Sequence, residues 1–149
     1  MNDEPIIIVP GTGPHQAVFT HLEVAANQIR NLLPYVIGEE RARPITLEIA
    51  CIDSFMVNVR LVADFLVRGS KSMDVLAEHI APGWEPDAEV KRRLNEWHIL
   101  ASRWVMHMSK QRAHAVDQHT EPVALEQYRQ MAADCQESYA SFKAAYQEA

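Results

Sequence analysis

The sequence contains few cysteines, no long hydrophobic run and no excess of positive charge. Its 149 residues include two cysteines, Cys51 and Cys135, which are too few for a disulfide framework and form no Cys-x-x-Cys pair. No apolar run exceeds four residues, far fewer than the ~20 of a membrane-spanning helix. The sequence has 14 Lys and Arg and 20 Asp and Glu, so the net charge of −6 provides no overall attraction for nucleic acid. Because the N-terminus is acidic where a secretion signal is basic, we expect a cytoplasmic protein with no membrane contact.

Glycine and proline are also sparse, and they divide the chain into stretches too long for strands. Three stretches that contain neither residue lie at 45–68, 87–121 and 123–149. The pattern predicts an all-α fold with four long helices in an antiparallel bundle, plus a short helix or irregular segment at about 70–85. We expect a single domain over residues 1–149, with residues 1–13 as an irregular N-terminal arm.

Turn and capping residues set the predicted helix boundaries. The first helix is expected at about 15–37, before Gly38, and the second at about 44–68, from Pro44. Pro86 and Asp87 suit the start of the third helix, and Thr120 suits the cap of the last one. The second helix carries apolar residues at alternating steps of four and three, a seam that packs against other helices: Ile45, Ile49, Ile52, Met56, Val59, Ala63 and Leu66. Further apolar residues lie away from this seam, so the helix is apolar around its circumference, which predicts a central position: Phe55, Leu61, Val62 and Phe65.

A polar stripe interrupts this apolar second helix. At 100° per residue, Asp53, Arg60 and Asp64 lie on one side of the helix. One interpretation is that Arg60 and Asp64, four residues apart, pair with each other at the edge of the bundle. The other is that they support a polar site that faces another helix, because a buried charge needs a partner.

The third helix and the residues after it supply cations for such a site. Arg103 and His107 are one turn apart and can address one anion, with Lys110 and Arg112 close by. Metal-free RNA cleavage needs a base with a near-neutral pKa for the ribose 2′-hydroxyl, and a permanent cation for the phosphate. A solvated basic helix face is the alternative interpretation.

Metal and base-stacking sites are less well supported. His98, His107, His114 and His119 cluster in the sequence, but no His-Glu-x-x-His motif accompanies them. We therefore expect no metal and no other cofactor. Trp97 and Trp104, seven residues apart on the apolar face, are expected in the core rather than stacked on bases.

Three segments resemble a group of small bacterial helical proteins similar to the HEPN superfamily. They are Asp53-Ser-Phe-Met-Val-Asn-Val-Arg60-Leu-Val-Ala-Asp64-Phe-Leu, Asp74-Val-Leu-Ala-Glu78 and Arg103-Trp-Val-Met-His107-Met-Ser-Lys-Gln-Arg112. The resemblance implies a helical bundle that is often dimeric. It also implies metal-independent ribonuclease activity of the kind found in toxin–antitoxin and defence systems, although many members serve only as binding or dimerisation modules.

The HEPN signature is an Arg and a His separated by four to six residues. Arg103 and His107 are separated by three, whereas Arg93 with His98 and Arg112 with His119 match the spacing. We prefer Arg103 and His107, because the residues around them also fit the smaller group.

The sequence thus leads to two hypotheses. In the first, a homodimer cleaves RNA with His107 as general base or acid, Arg103 as the phosphate clamp and Arg112 as a further cation. Arg60, Asp64 and Lys110 support that site, and an antitoxin or another protein is a further partner. In the second, the protein is a non-catalytic helical module for dimerisation or protein interaction.

Overall fold

The structure, a computed structural model, describes residues 14–40, 44–67, 76–106 and 123–148. These residues form five helices and no strand. In chain order they are α1 (Pro14–Val36), α2 (Ile45–Val67), α3 (Ala77–Ile80), α4 (Ala88–Met106) and α5 (Leu125–Glu148). The prediction of an all-α bundle of four long helices and one short one is confirmed. None of these helices combines the length and the apolarity needed to cross a bilayer.

The helix ends follow the turn and capping residues. α1 continues through Pro34 to Val36, and Gly38 follows with a φ of +79°, the left-handed conformation that glycine favours after a helix. The carbonyl oxygen of Pro44 accepts the N–H of Leu47 at 2.9 Å as α2 begins. At the start of α4, Asp87 Oδ1 accepts the N–H of Glu89 at 3.0 Å. The cap predicted at Thr120 lies outside the described residues.

Contacts between the helices give their relative directions. Asp53 near the middle of α2 contacts Trp104 near the end of α4, whereas Asp64 late in α2 contacts His98 earlier in α4. Residue numbers therefore rise along one helix as they fall along the other, and α2 and α4 are antiparallel. Side-chain contacts relate α1 and α5 in the same way. The long helices form an up-and-down bundle.

α2 is the central helix, as its apolar pattern predicted. It packs against each of the other described helices. The buried α2 residues lie between its middle and its end: Phe55, Met56, Val59, Val62, Ala63, Phe65 and Leu66. They join Phe19, Leu94 and Phe142 from three other helices in one core, which holds the bundle together by burial of apolar surface.

The first two turns of α2 depart from the prediction. Ile45 and Ile49 belong to the periodic apolar set, yet 68% and 39% of their surface is exposed. Phe55 of α2 packs on Tyr128, which lies only one turn into α5, so α2 extends past the start of that neighbour. Periodicity identifies the face of a helix that meets the core, but it does not show how far the neighbouring helices reach.

Candidate functional site

The residues predicted to form a site divide into two groups. Arg60 and Asp64 on α2 and Arg103 on α4 belong to the described residues. His107, Lys110 and Arg112 lie outside them. The described part of the candidate site is therefore the part that α2 and α4 build.

Arg60 reaches from α2 to α4. Its Nε donates a hydrogen bond to Ser102 Oγ at 3.1 Å, and both side chains are half-buried. This contact occupies one of the donors of the guanidinium and leaves its two terminal amino groups for other acceptors. Among the described residues, Arg60 forms no ion pair with Asp64, so the interpretation that these two neighbours pair with each other is not supported.

Asp64 contacts α4 one turn before Ser102. His98 Nε2 lies 3.1 Å from Asp64 Oδ1. This distance is typical of a hydrogen bond, but the two groups are not aligned to form one. The histidine side chain is 10% exposed and the carboxylate 46% exposed, so the carboxylate remains accessible to solvent. A protonated His98 would form an ion pair here.

A third contact between α2 and α4 lies nearer the end of α4. Trp104 Nε1 donates to Asp53 Oδ1 at 2.7 Å. Trp104 is buried, as predicted for a core residue, while its indole N–H still has a partner. Sequence reasoning placed Asp53 on the polar stripe of α2 but did not identify its partner, because the pairing joins residues 51 positions apart.

Together the three contacts form a line between the two helices, which we call the α2–α4 row: Asp53 with Trp104, Arg60 with Ser102, and Asp64 with His98. The predicted polar stripe therefore faces another helix. The row includes a cation and two carboxylates in a half-buried setting, where charges are screened less than at a fully exposed surface.

Arg103 follows Ser102 in α4 and is exposed. Successive residues of a helix are 100° apart, so Arg103 points away from the position at which Ser102 meets Arg60. Within the described residues neither Arg60 nor Arg103 forms an ion pair. By contrast, Lys91, Arg92 and Arg93 earlier in α4 all pair with carboxylates. Arg60 and Arg103 are thus two cations near the end of α4 that no carboxylate among the described residues neutralises.

Arg93 and His98, which match the HEPN spacing, contact different helices. Arg93 Nε and Nη2 donate to Asp134 of α5 at 2.9 and 2.8 Å, while His98 meets Asp64 of α2. The two-point contact with Asp134 occupies the face of the guanidinium that would otherwise bind a phosphate. This arginine is a structural residue, and the pair does not form a joint site.

Asp134 is a buried carboxylate that accepts four side-chain hydrogen bonds. Only 1% of its surface is exposed, and it also accepts Trp97 Nε1 at 2.7 Å and Gln130 Nε2 at 2.9 Å. Burial raises the pKa of this carboxyl, but the hydrogen bonds from Arg93, Trp97 and Gln130 outweigh burial and hold the pKa below its ordinary value. No sequence motif identifies this cluster, which we call the Asp134 clamp.

Two other kinds of chemistry find no support in the described ranges. No group of three or more His, Cys, Asp or Glu residues there is arranged to hold a metal ion; His107, His114 and His119 lie outside those ranges. Cys135 is fully buried, and burial raises the pKa of its thiol, so the reactive thiolate is disfavoured.

Comparison of the chain with protein-family models, with curated proteins and with solved structures finds no match to any of them.

Proposed function

We propose that the protein cleaves RNA without a metal ion, at the end of α4 that carries Arg103. The supporting observation is electrostatic. Arg60, which contacts Ser102 of α4, and Arg103 on the exposed side of α4 lie near the same end of that helix, and neither is neutralised by a carboxylate among the described residues. Two permanent cations in this position attract and hold a phosphate, despite the acidic charge of the whole chain.

The chemistry follows from the residues that come next in the sequence. His107 accepts the proton of a ribose 2′-hydroxyl, and the 2′-oxygen attacks the adjacent phosphorus. The bond from phosphorus to the 5′-oxygen then breaks, and that oxygen takes up a proton from water, which leaves a 2′,3′-cyclic phosphate and a 5′-hydroxyl. Arg103 and Arg112 stabilise the negative charge that develops on the phosphate, and Lys110 adds a further cation. Arg60 and Asp64 position α4 through Ser102 and His98.

The test uses labelled single-stranded RNA of mixed sequence, incubated with the purified protein in the presence of EDTA. We expect cleavage products that end in a 2′,3′-cyclic phosphate, and no cleavage at a position that carries a 2′-deoxyribose. His107→Ala removes the base, and we expect the rate to fall by about 10²-fold or more. RNA that stays intact with the unaltered protein contradicts the proposal.

Matched controls separate this chemistry from a general loss of charge. His21→Ala removes an exposed histidine from α1, and Arg30→Ala removes an exposed arginine from the same helix. We expect both variants to cleave RNA at the unaltered rate, whereas Arg103→Ala is slower by about 10-fold or more. Growth arrest in a bacterial host that His107→Ala relieves, and His21→Ala does not, would extend the proposal to a toxin restrained by a protein partner.

A second candidate function is a helical protein-interaction module. The observation that favours it is a charge-free apolar stripe on the face of α2 that points away from the core, where Leu47, Val57 and Leu61 are exposed. Such a surface on a helix suits a partner helix. An inactive protein that binds a second chain through α2 would support this function in place of RNA cleavage.

A further inference from the structure

A cavity lies at the end of α2, beside the residues that lead into α3 and α4. It has a volume of about 80 Å³, and its buried apolar lining consists of Phe65 and Leu66 of α2 together with Leu76. Lys91 in the first turn of α4 also lines the cavity. Arg103 comes 12 residues later in that helix, about 18 Å away at 1.5 Å per residue. The cavity is therefore separate from the proposed RNA site.

The indole ring of Trp84 forms a fixed wall of this cavity. Its Nε1 donates a hydrogen bond to Ser141 Oγ at 3.2 Å, and the ring packs edge-to-face on Phe142, with 5.4 Å between the ring centroids. Both partners belong to α5, so the ring is held in place before a ligand arrives, which lowers the cost of binding. Tryptophan is also the aromatic side chain that attracts cations most strongly.

The exposed part of the lining is charged. Glu78 and Glu85 both line the cavity, and their side chains are 67% and 69% exposed. Glu85 Oε2 is paired with Lys91 Nζ at 2.8 Å. Glu78, by contrast, has only a loose contact with His79 Nε2, at 3.9 Å, in the described part of the chain. Two carboxylates and one ammonium group leave an excess of negative charge at the cavity, which favours a cationic ligand.

We propose that this cavity binds a primary alkylammonium group, carried by a free amine or by a lysine side chain of another protein. The volume sets the size of the ligand. A cavity of about 150 Å³ holds benzene, so about half that volume takes a chain of about four carbon atoms and no ring. The chain packs on Phe65, Leu66 and Leu76, while the ammonium group lies beside Trp84 and pairs with Glu78.

Lys91 distinguishes this ligand from an anion. Its ammonium group already neutralises Glu85, and it repels a second cation that approaches the cavity. A cationic ligand therefore binds more tightly once Lys91 is removed, because two carboxylates are then available to it. An anionic ligand would instead lose the lysine that attracts it. The sign of the effect at Lys91 thus identifies the charge of the ligand, and it does not depend on RNA cleavage.

An NMR titration of the ¹⁵N-labelled protein tests the proposal, at a constant ionic strength of about 0.15 M. The indole N–H signal of Trp84 reports binding, and Trp84→Phe identifies it among those of the three tryptophans. The probes are butylamine, a free amine, and Nα-acetyl-lysine methylamide, which presents a lysine side chain. We expect a Kd of about 1 mM for the tighter probe, since a ligand of so few atoms gains little binding energy. The probe that binds more tightly identifies the source of the ammonium group.

Three variants test the charges, after circular dichroism has shown that their helix content is unaltered. Glu78→Gln removes the carboxylate that pairs with the ligand, and we expect binding to weaken by about 5-fold, the value of an exposed ion pair. Glu48→Gln is the matched control, because Glu48 is an exposed glutamate in the first turn of α2, and we expect it to bind like the unaltered protein. Lys91→Met is expected to tighten binding by about 3-fold.

Several outcomes overturn the proposal. The Trp84 signal does not move with either probe up to about 50 mM, or Glu78→Gln binds as tightly as Glu48→Gln. Butan-1-ol that binds as tightly as butylamine would show an apolar cavity that does not select a cation. Butanoate that binds, and that Lys91→Met releases, would show an anion site. Since no measurement involves RNA, an inactive protein that binds butylamine would reject the ribonuclease and leave the ammonium site supported.

Discussion

The two sides of α4 are built differently. Toward α5, one buried carboxylate at Asp134 accepts hydrogen bonds from Arg93, Trp97 and Gln130, and only 1% of its surface is exposed. Toward α2, the α2–α4 row distributes its polar groups over three separate contacts, and Asp64 remains 46% exposed. The same helix thus has a concentrated buried cluster on one side and a dispersed, half-exposed row on the other.

This difference separates groups that stabilise the fold from groups that remain available to a ligand. A buried carboxylate whose partners are all satisfied fixes the position of two helices, but it has no capacity left to bind anything else. The amino groups of Arg60 and the exposed carboxylate of Asp64 retain such capacity. We therefore expect substitutions in the Asp134 clamp to change stability and substitutions in the row to change function.

The largest expected effect is the loss of the clamp. Asp134→Ala leaves the Arg93 guanidinium without its buried counter-charge and Trp97 Nε1 without an acceptor. We expect the free energy of unfolding to fall by about 3 kcal/mol, measured by chemical denaturation. Asp64→Ala is the control from the row, and its cost should stay below about 1 kcal/mol, because that side chain is half exposed. Equal losses in the two variants would contradict the comparison.

The clamp also predicts a loss of stability in acid. The pKa of Asp134 is lower in the folded protein than in the unfolded chain, so its contribution is complete above the unfolded pKa. That contribution disappears as the pH falls through the folded pKa. We expect Asp134→Asn to flatten the decline in stability below about pH 4, the ordinary range of an aspartate pKa. A decline as steep as in the unaltered protein would show that other carboxylates cause it.

The sequence predicts the helices well because their signals are local. Gly38, Pro44 and Asp87 act within a few residues of the ends that they mark, and the apolar period of α2 records its contact with the core. The exposure of Ile45 could not be predicted in this way, since it depends on where a helix more than 70 residues later begins. Periodicity describes the face of a helix, and the lengths of its neighbours decide how much of that face is covered.

The candidate site was predictable only in part. The stripe of Asp53, Arg60 and Asp64 follows from helical geometry, which left open whether it lies at the edge of the bundle or faces another helix; in the structure it faces α4. Its partners Ser102 and His98 carry no signal of their own in the sequence. The Asp134 clamp was missed for the same reason: Arg93 and Asp134 are 41 residues apart, and only the packing of α4 against α5 brings them together.

A smaller effect on stability, with a larger one on function, is expected for Arg60. Arg60→Met keeps the length of the side chain but loses the hydrogen bond to Ser102 and the positive charge. We expect about 1 kcal/mol less stability, the value of one half-buried hydrogen bond. Under the proposed function, we also expect RNA cleavage to slow by about 10-fold or more.

Ser102→Ala removes the same hydrogen bond and keeps the charge of Arg60. It therefore separates the two effects of Arg60→Met: its stability should fall as in Arg60→Met, while its RNA cleavage should slow less than in Arg60→Met, because the positive charge remains. If Ser102→Ala slows cleavage as much as Arg60→Met does, Arg60 acts only by holding α4, and its charge is not used.

The smallest effect is expected at the exposed face of α4, where Arg92 pairs with Glu89 and Glu96. Ion pairs in water gain little, because each partner is well solvated when apart and the ordering of two long side chains offsets the attraction. The hydrogen bond from Arg92 to Glu89 and the negative charges of Glu89 and Glu96 raise the pKa of Arg92. Because the ordinary pKa of arginine is already high, this side chain is protonated at every accessible pH. We expect Arg92→Ala to leave the denaturation midpoint unchanged within error, at low and at high salt. A midpoint that falls in low salt alone would show that this exposed network, and not only the Asp134 clamp, holds α4 in place.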